Sequence, residues 1–160
     1  MALEVFISYS HRDKDLRGEL EKHLASLKRQ QLITSWYDGD IIPGTEWQQE
    51  IIQHLNSAQI ILLLVSADFM DSDFCYSIEM EQAIARHDAD RARVMPILLR
   101  PTDWKGAPFE KLQALPSGAT PVTDWPDRDK AFLNVVQGIR AAIDDLVKKK
   151  KTANPQPAHR

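Results

Sequence analysis

The chain has 160 residues and a formal net charge of −3, with 20 Lys and Arg against 23 Asp and Glu. That length suits one domain with its own core, and that charge balance lacks the strongly basic face that nucleic acid selects. The longest apolar run, 60–65, falls far short of the roughly 20 residues that span a bilayer, and a lone cysteine forms no internal disulfide. A soluble cytoplasmic domain is the expectation, with neither membrane nor nucleic acid as partner. Strand-like sequence begins by Leu3, where a leader peptide would carry its charged and apolar regions.

Val5-Phe6-Ile7 is a short continuous apolar run, as in a strand buried on both faces of a parallel sheet. Residues 13–29 read as a helix, with Leu16, Leu20, Leu24 and Leu27 at helical spacing. A second strand is expected over 33–38, then a loop over 39–45 whose turn signal is Pro43-Gly44. Thr45 can cap a helix to about Asn56 that turns Trp47, Ile51, Ile52 and Leu55 inward. The run 59–65 is the strongest strand and is assigned to the sheet centre.

Ser72 or Asp73 is expected to cap the next helix, which reaches about His87. Another apolar strand covers 93–99 and closes at Arg100-Pro101. Prolines and glycines over 100–119 predict an irregular excursion with a short turn of helix near 109–115. Thr120-Pro121-Val122 reads as a fifth strand at an edge, where proline is tolerated. Asp127 or Asp129 starts a last helix striped by Phe132, Val135, Val136, Ile139, Ile143 and Leu146. The domain is bounded at 1–147, and 148–160 is read as a basic, proline-containing tail or linker.

Five strands alternating with helices make an α/β fold, a three-layer flavodoxin-like sandwich around a parallel sheet. Ligands in such sheets sit beyond the carboxyl ends of the strands. The segments 8–11, 36–44 and 66–79 all fall at or past that edge. The chain has no Gly-x-Gly-x-x-Gly after its first strand and no Walker-type loop. It also lacks the acidic constellation with which phosphoreceiver domains hold magnesium. His23, His54, His87 and His159 have no partners at metal-ligand spacing, so no metal site is expected.

Val5 to Ser10, Trp36-Tyr37-Asp38 leading into Ile42-Pro43-Gly44, and Ser66 through Phe74-Cys75 to Glu79 stand in a definite order. With that order and spacing the chain resembles a Toll/interleukin receptor (TIR) domain of prokaryotic type over roughly residues 4–146. The resemblance implies an NAD+ glycohydrolase, with NAD+ as substrate rather than cofactor. The glutamate on the helix after the third strand would be Glu79. A carboxylate there can stabilise the oxocarbenium-like centre left when the ribose–nicotinamide bond breaks. The leaving nicotinamide is neutral, so one carboxylate can suffice. Water capture gives ADP-ribose, and capture by an adenine nitrogen gives a cyclic isomer; both outcomes stay open.

Family members commonly read Trp-Cys-x-x-Glu, whereas this chain reads Phe74-Cys75-Tyr76-Ser77-Ile78-Glu79. A helix start shifted by one residue restores Glu79 to the pocket, with Phe74 and Tyr76 as aromatic walls. Glu79 lies about 40° around a helix from Cys75, so it borders the inward face, while Glu81 falls opposite. The blander alternative for Glu79 is a half-exposed pairing with a nearby Lys or Arg.

Tyr9, Ser10 and His11 match the family's first-strand motif, which lines the nucleotide side. Trp36 either stacks on a ring of the substrate or belongs to the core. Ser66 and Ser72 either donate to ribose or cap local turns. Cys75 reads as packing rather than a nucleophile.

The segment 38–45 resembles the family's BB loop, where Ile41, Ile42, Pro43 and Gly44 form an apolar tip for self-association with other TIR domains. A head-to-tail contact of this kind generates open filaments. The resemblance also implies a fused sensor or effector domain and a setting in bacterial antiviral defence. The alternative function is a non-enzymatic scaffold that assembles through the same loop.

Overall fold

In the computed structural model, residues 2–37, 47–72 and 77–153 are described. Four parallel strands form the sheet: β1 (Leu3–Ser8), β2 (Ile33–Trp36), β3 (Ile60–Val65) and β4 (Arg93–Leu98), in the order β2-β1-β3-β4. Val5 pairs with Ser35 on one side and with Ile60 on the other, and Ile60 in turn pairs with Arg93. β1 and β3 are therefore the inner pair. Every residue of β3 is fully buried, which is why its sequence shows no alternation.

The helices are α1 (Lys14–His23), α2 (Ala25–Arg29), α3 (Trp47–Ser57), α4 (Ala67–Met70), α5 (Ile78–Asp88) and α6 (Arg128–Ala153). The period-two alternation of the strands sorts them into two layers. Val5 and Ile7 of β1 and Leu62 and Leu64 of β3 pack with Leu16, Leu20, Leu24 and Leu27 of α1 and α2. Phe132, Val135 and Ile139 of α6 join that cluster. Phe6, Ile61, Leu63 and Val65 face the other way, against Ile51 and Leu55 of α3, Phe69 of α4 and Met80 and Ala83 of α5. The fold is thus the expected three-layer α/β sandwich.

The expected fifth strand is a correction. Val122–Asp124 forms a 3-10 turn instead, anchored where Thr123 N–H donates to the Leu99 carbonyl at 3.0 Å. Pro121 has no N–H to offer a ladder. Pro96 likewise lacks a donor on the outer edge of β4. Among the described residues, all that pairs there is one parallel bridge between Ile97 and Leu115. Leu98 N–H donates to Leu115 O at 2.8 Å, and Leu115 N–H donates to Pro96 O at 2.9 Å.

The other boundaries shift modestly. The expected helix over 13–29 divides at Leu24 into α1 and α2 after a 3-10 turn at His11–Asp13. The helical turn expected near 109–115 is an irregular turn ending in the Leu115 bridge. Ser77, not Ser72 or Asp73, caps α5, accepting from Met80 N–H at 3.2 Å. Asp127 caps α6 by accepting from Asp129 and Lys130 N–H at 2.9 and 3.3 Å. α6 continues through the lysine run to Ala153, so the boundary drawn after 147 falls inside a helix.

Candidate functional site at the carboxyl edge of the sheet

Three chain segments meet just past the strand ends. After β1, Ser10 accepts from Arg12 N–H at 3.3 Å and caps the 3-10 turn, which brings Asp13 under the edge. After β3, Ser66 accepts from Phe69 N–H at 3.1 Å and caps α4. Ser66 and Asp13 are both fully buried, and the Ser66 hydroxyl donates to Asp13 Oδ2. After β4, Arg100 places its Nε 3.1 Å from Asp13 Oδ1. That approach is an ion-pair contact without hydrogen-bond alignment, because Oδ1 accepts no hydrogen bond among the described residues. A buried carboxylate needs such partners to offset its desolvation. Asp13 and Arg100 were not singled out from the sequence.

A second cluster joins the ends of β1 and β2. Tyr9 meets Tyr37 edge-on at 6.0 Å and His11 at 5.8 Å, and the Arg17 guanidinium lies 4.0 Å from the Tyr37 ring and 5.1 Å from Tyr9. Arg17 also pairs with Glu21 at 3.0 Å. Burial opposes its charge, but Tyr9, Glu21 and Tyr37 outweigh that and hold its pKa above the ordinary value. Arg17 Nε and Glu21 Oε1 are buried without hydrogen bonds among the described residues.

The sequence candidates divide accordingly. Tyr9, Ser10 and His11 stand together at the β1 end, with His11 exposed. Trp36 is nine-tenths buried, stacked on Phe6 at 5.4 Å and on His54 at 4.2 Å, so its ring is engaged in packing. Both Ser66 hydroxyl functions are occupied, and Ser72 donates to the Phe69 carbonyl at 2.6 Å. Glu79 is half-buried in the first turn of α5, two residues after the Ser77 cap, where acidic side chains are favoured. Glu81 is exposed, as its position around the helix predicts. Phe74, Cys75, Tyr76 and the loop tip Ile41, Ile42, Pro43 and Gly44 lie outside the described residues.

No helix among the described residues is long and apolar enough to cross a membrane. Also among them, no group of three or more His, Cys, Asp or Glu could hold a metal ion.

Residues 5–133 match the family profile described as TIR domain. The chain is 49% identical over 154 residues to the uncharacterized protein y4lF of Sinorhizobium fredii. That match covers 96% of this chain and 47% of the relative, so the chain spans about half the relative's length. The fold also matches the crystal structure of the TIR domain of the Toll-related receptor TRR-2 from Hydra magnipapillata. The TM-score is 0.58 at 19% identity, over 87% of this chain and 99% of that one. The profile covers most of the chain and the fold match agrees with it: this chain belongs to the TIR domain family.

Proposed function

We propose that this TIR domain is an NAD+ glycohydrolase that works in the cytoplasm in defence signalling and is activated by self-assembly. The family includes NAD+-cleaving and scaffold members, and TIR domains commonly self-associate. The observation that most supports the enzymatic reading is the position of Glu79. It is a half-buried carboxylate in the first turn of the helix that follows the β3–α4 segment, beyond the carboxyl edge.

In this reading the bond between ribose C1′ and the nicotinamide nitrogen breaks, and its electron pair leaves with neutral nicotinamide. Glu79 stabilises the cationic ribosyl centre. Water then adds to C1′ and releases a proton, giving ADP-ribose, or an adenine nitrogen closes a cyclic isomer. Tyr9, Ser10 and His11 form the nucleotide side. The loop tip at Ile41 to Gly44 makes the head-to-tail contact that assembles copies into filaments.

A specific observation favours the scaffold as second reading. Trp36, Ser66 and Ser72, three groups expected to touch substrate, are engaged within the fold.

The deciding experiment is NAD+ turnover by chromatography at low and high protein concentration, for the intact chain and Glu79→Gln. Nicotinamide release that rises steeply with concentration and vanishes in the variant supports the enzyme. Intact NAD+ in samples that are visibly assembled leaves the scaffold.

A further inference from the structure

Arg100 is held unusually for a residue at a strand end. Its Nε is tied to Asp13, a fully buried carboxylate that also accepts from buried Ser66, yet about half of the arginine side chain remains exposed. Among the described residues Asp13 is the guanidinium's only ionic partner. A guanidinium carries five N–H donors in a rigid fork; the Asp13 contact holds it by charge without hydrogen-bond alignment, and the half-exposed side chain presents that fork at the surface. Arg100 also lines a cleft of about 250 Å³ at the carboxyl end of β4, together with Thr102, Trp104, Pro121 and Asp124.

We propose that Arg100, oriented by Asp13, binds a phosphate-class anion at this edge, namely the pyrophosphate of the substrate. The inference rests on the glycohydrolase reading only in taking that pyrophosphate to belong to NAD+. Planar fork donors match phosphate oxygens, and pre-orientation by a buried carboxylate removes rotamer entropy that a free surface arginine loses on binding. Asp124 shares the cleft, and its negative charge weakens the site, which gives the proposal a second sign to test.

The test is equilibrium titration with inorganic pyrophosphate and with ADP-ribose at low salt, followed by calorimetry. Arg100→Gln should weaken both ligands about tenfold or more, and Asp124→Asn should tighten both several-fold. Because Arg100→Gln strands a buried carboxylate, the double variant Asp13→Asn/Arg100→Gln supplies a neutral pair and should show the same loss with its fold intact. Wild-type affinity in both Arg100 variants, or no binding by the intact chain at millimolar ligand, overturns the inference. Pyrophosphate that binds through Arg100 without competing with ADP-ribose overturns the assignment to the substrate. Arg100-dependent ADP-ribose binding without nicotinamide release would leave the anion site standing and remove the glycohydrolase.

Discussion

The ring of His87 accepts the backbone N–H of Val94 through Nδ1 at 3.0 Å, so a side chain of α5 closes a donor at the amino end of β4. The acceptor nitrogen must be unprotonated, which places the ring proton on Nε2. Burial pushes the His87 pKa below its ordinary value. Arg93 and Lys111 push the same way, and Asp88 and Asp90 oppose them. A histidine whose folded pKa is depressed takes up its proton more readily unfolded. Stability is therefore fully present above about pH 6.5 and is lost as pH falls through the lower folded value. Urea midpoints measured between pH 7.5 and 5 should show that loss. His87→Ala should cost about 1–2 kcal/mol at pH 7.5 and flatten the decline.

The Ser66–Asp13 contact predicts a larger effect. Ser66→Ala removes the α4 cap and the donor to Asp13 together, and should destabilise by about 2–4 kcal/mol. Chemical denaturation reads it. A cost below about 1 kcal/mol would mean that water replaces the hydroxyl without penalty.

Trp36 separates packing from binding. Its burial between Phe6 and His54 predicts a loss of about 3–5 kcal/mol for Trp36→Ala and under about 2 for Trp36→Phe. If Trp36 acts only through packing, folded Trp36→Phe should retain any NAD+ turnover within a few-fold. A collapse of turnover at unchanged stability would restore a direct role for the ring.

Gly138 of α6 faces Leu115, whose Cδ1 lies 2.6 Å from where a β-carbon at Gly138 would stand. Gly138→Ala gains about 1 kcal/mol of helix propensity but must displace Leu115, whose backbone makes the bridge to β4. A net destabilisation of about 1 kcal/mol is expected, together with faster amide exchange at Leu98 and Leu115.

Much of this was legible in the chain. Strands buried on both faces write themselves as unbroken apolar runs, so β1, β3 and β4 were located within a residue or two. The fifth strand was misread: Thr120-Pro121-Val122 looks like a proline-tolerant edge strand, and the donor that Pro96 removes from the edge of β4 was not weighed against it. The α5 start was misplaced because Ser72, Asp73 and Ser77 are all competent caps, and only tertiary packing selects among them. The Asp13–Ser66–Arg100 tie was not legible. Its members come from three strand ends, and no local pattern marks an acid that folding buries.

The backbone course has a practical corollary. β1 starts at the amino edge of the sheet, and α6 returns there: Asp145 meets Arg93 at 2.5 Å and Lys149 meets Asp90 at 3.3 Å, both at the start of β4. Both described ends of the chain thus emerge on the side away from Tyr9, Ser66 and Arg100. The domain can be tethered by either end, to a bead, a sensor chip or a fused module, with the opposite rim left open to solution.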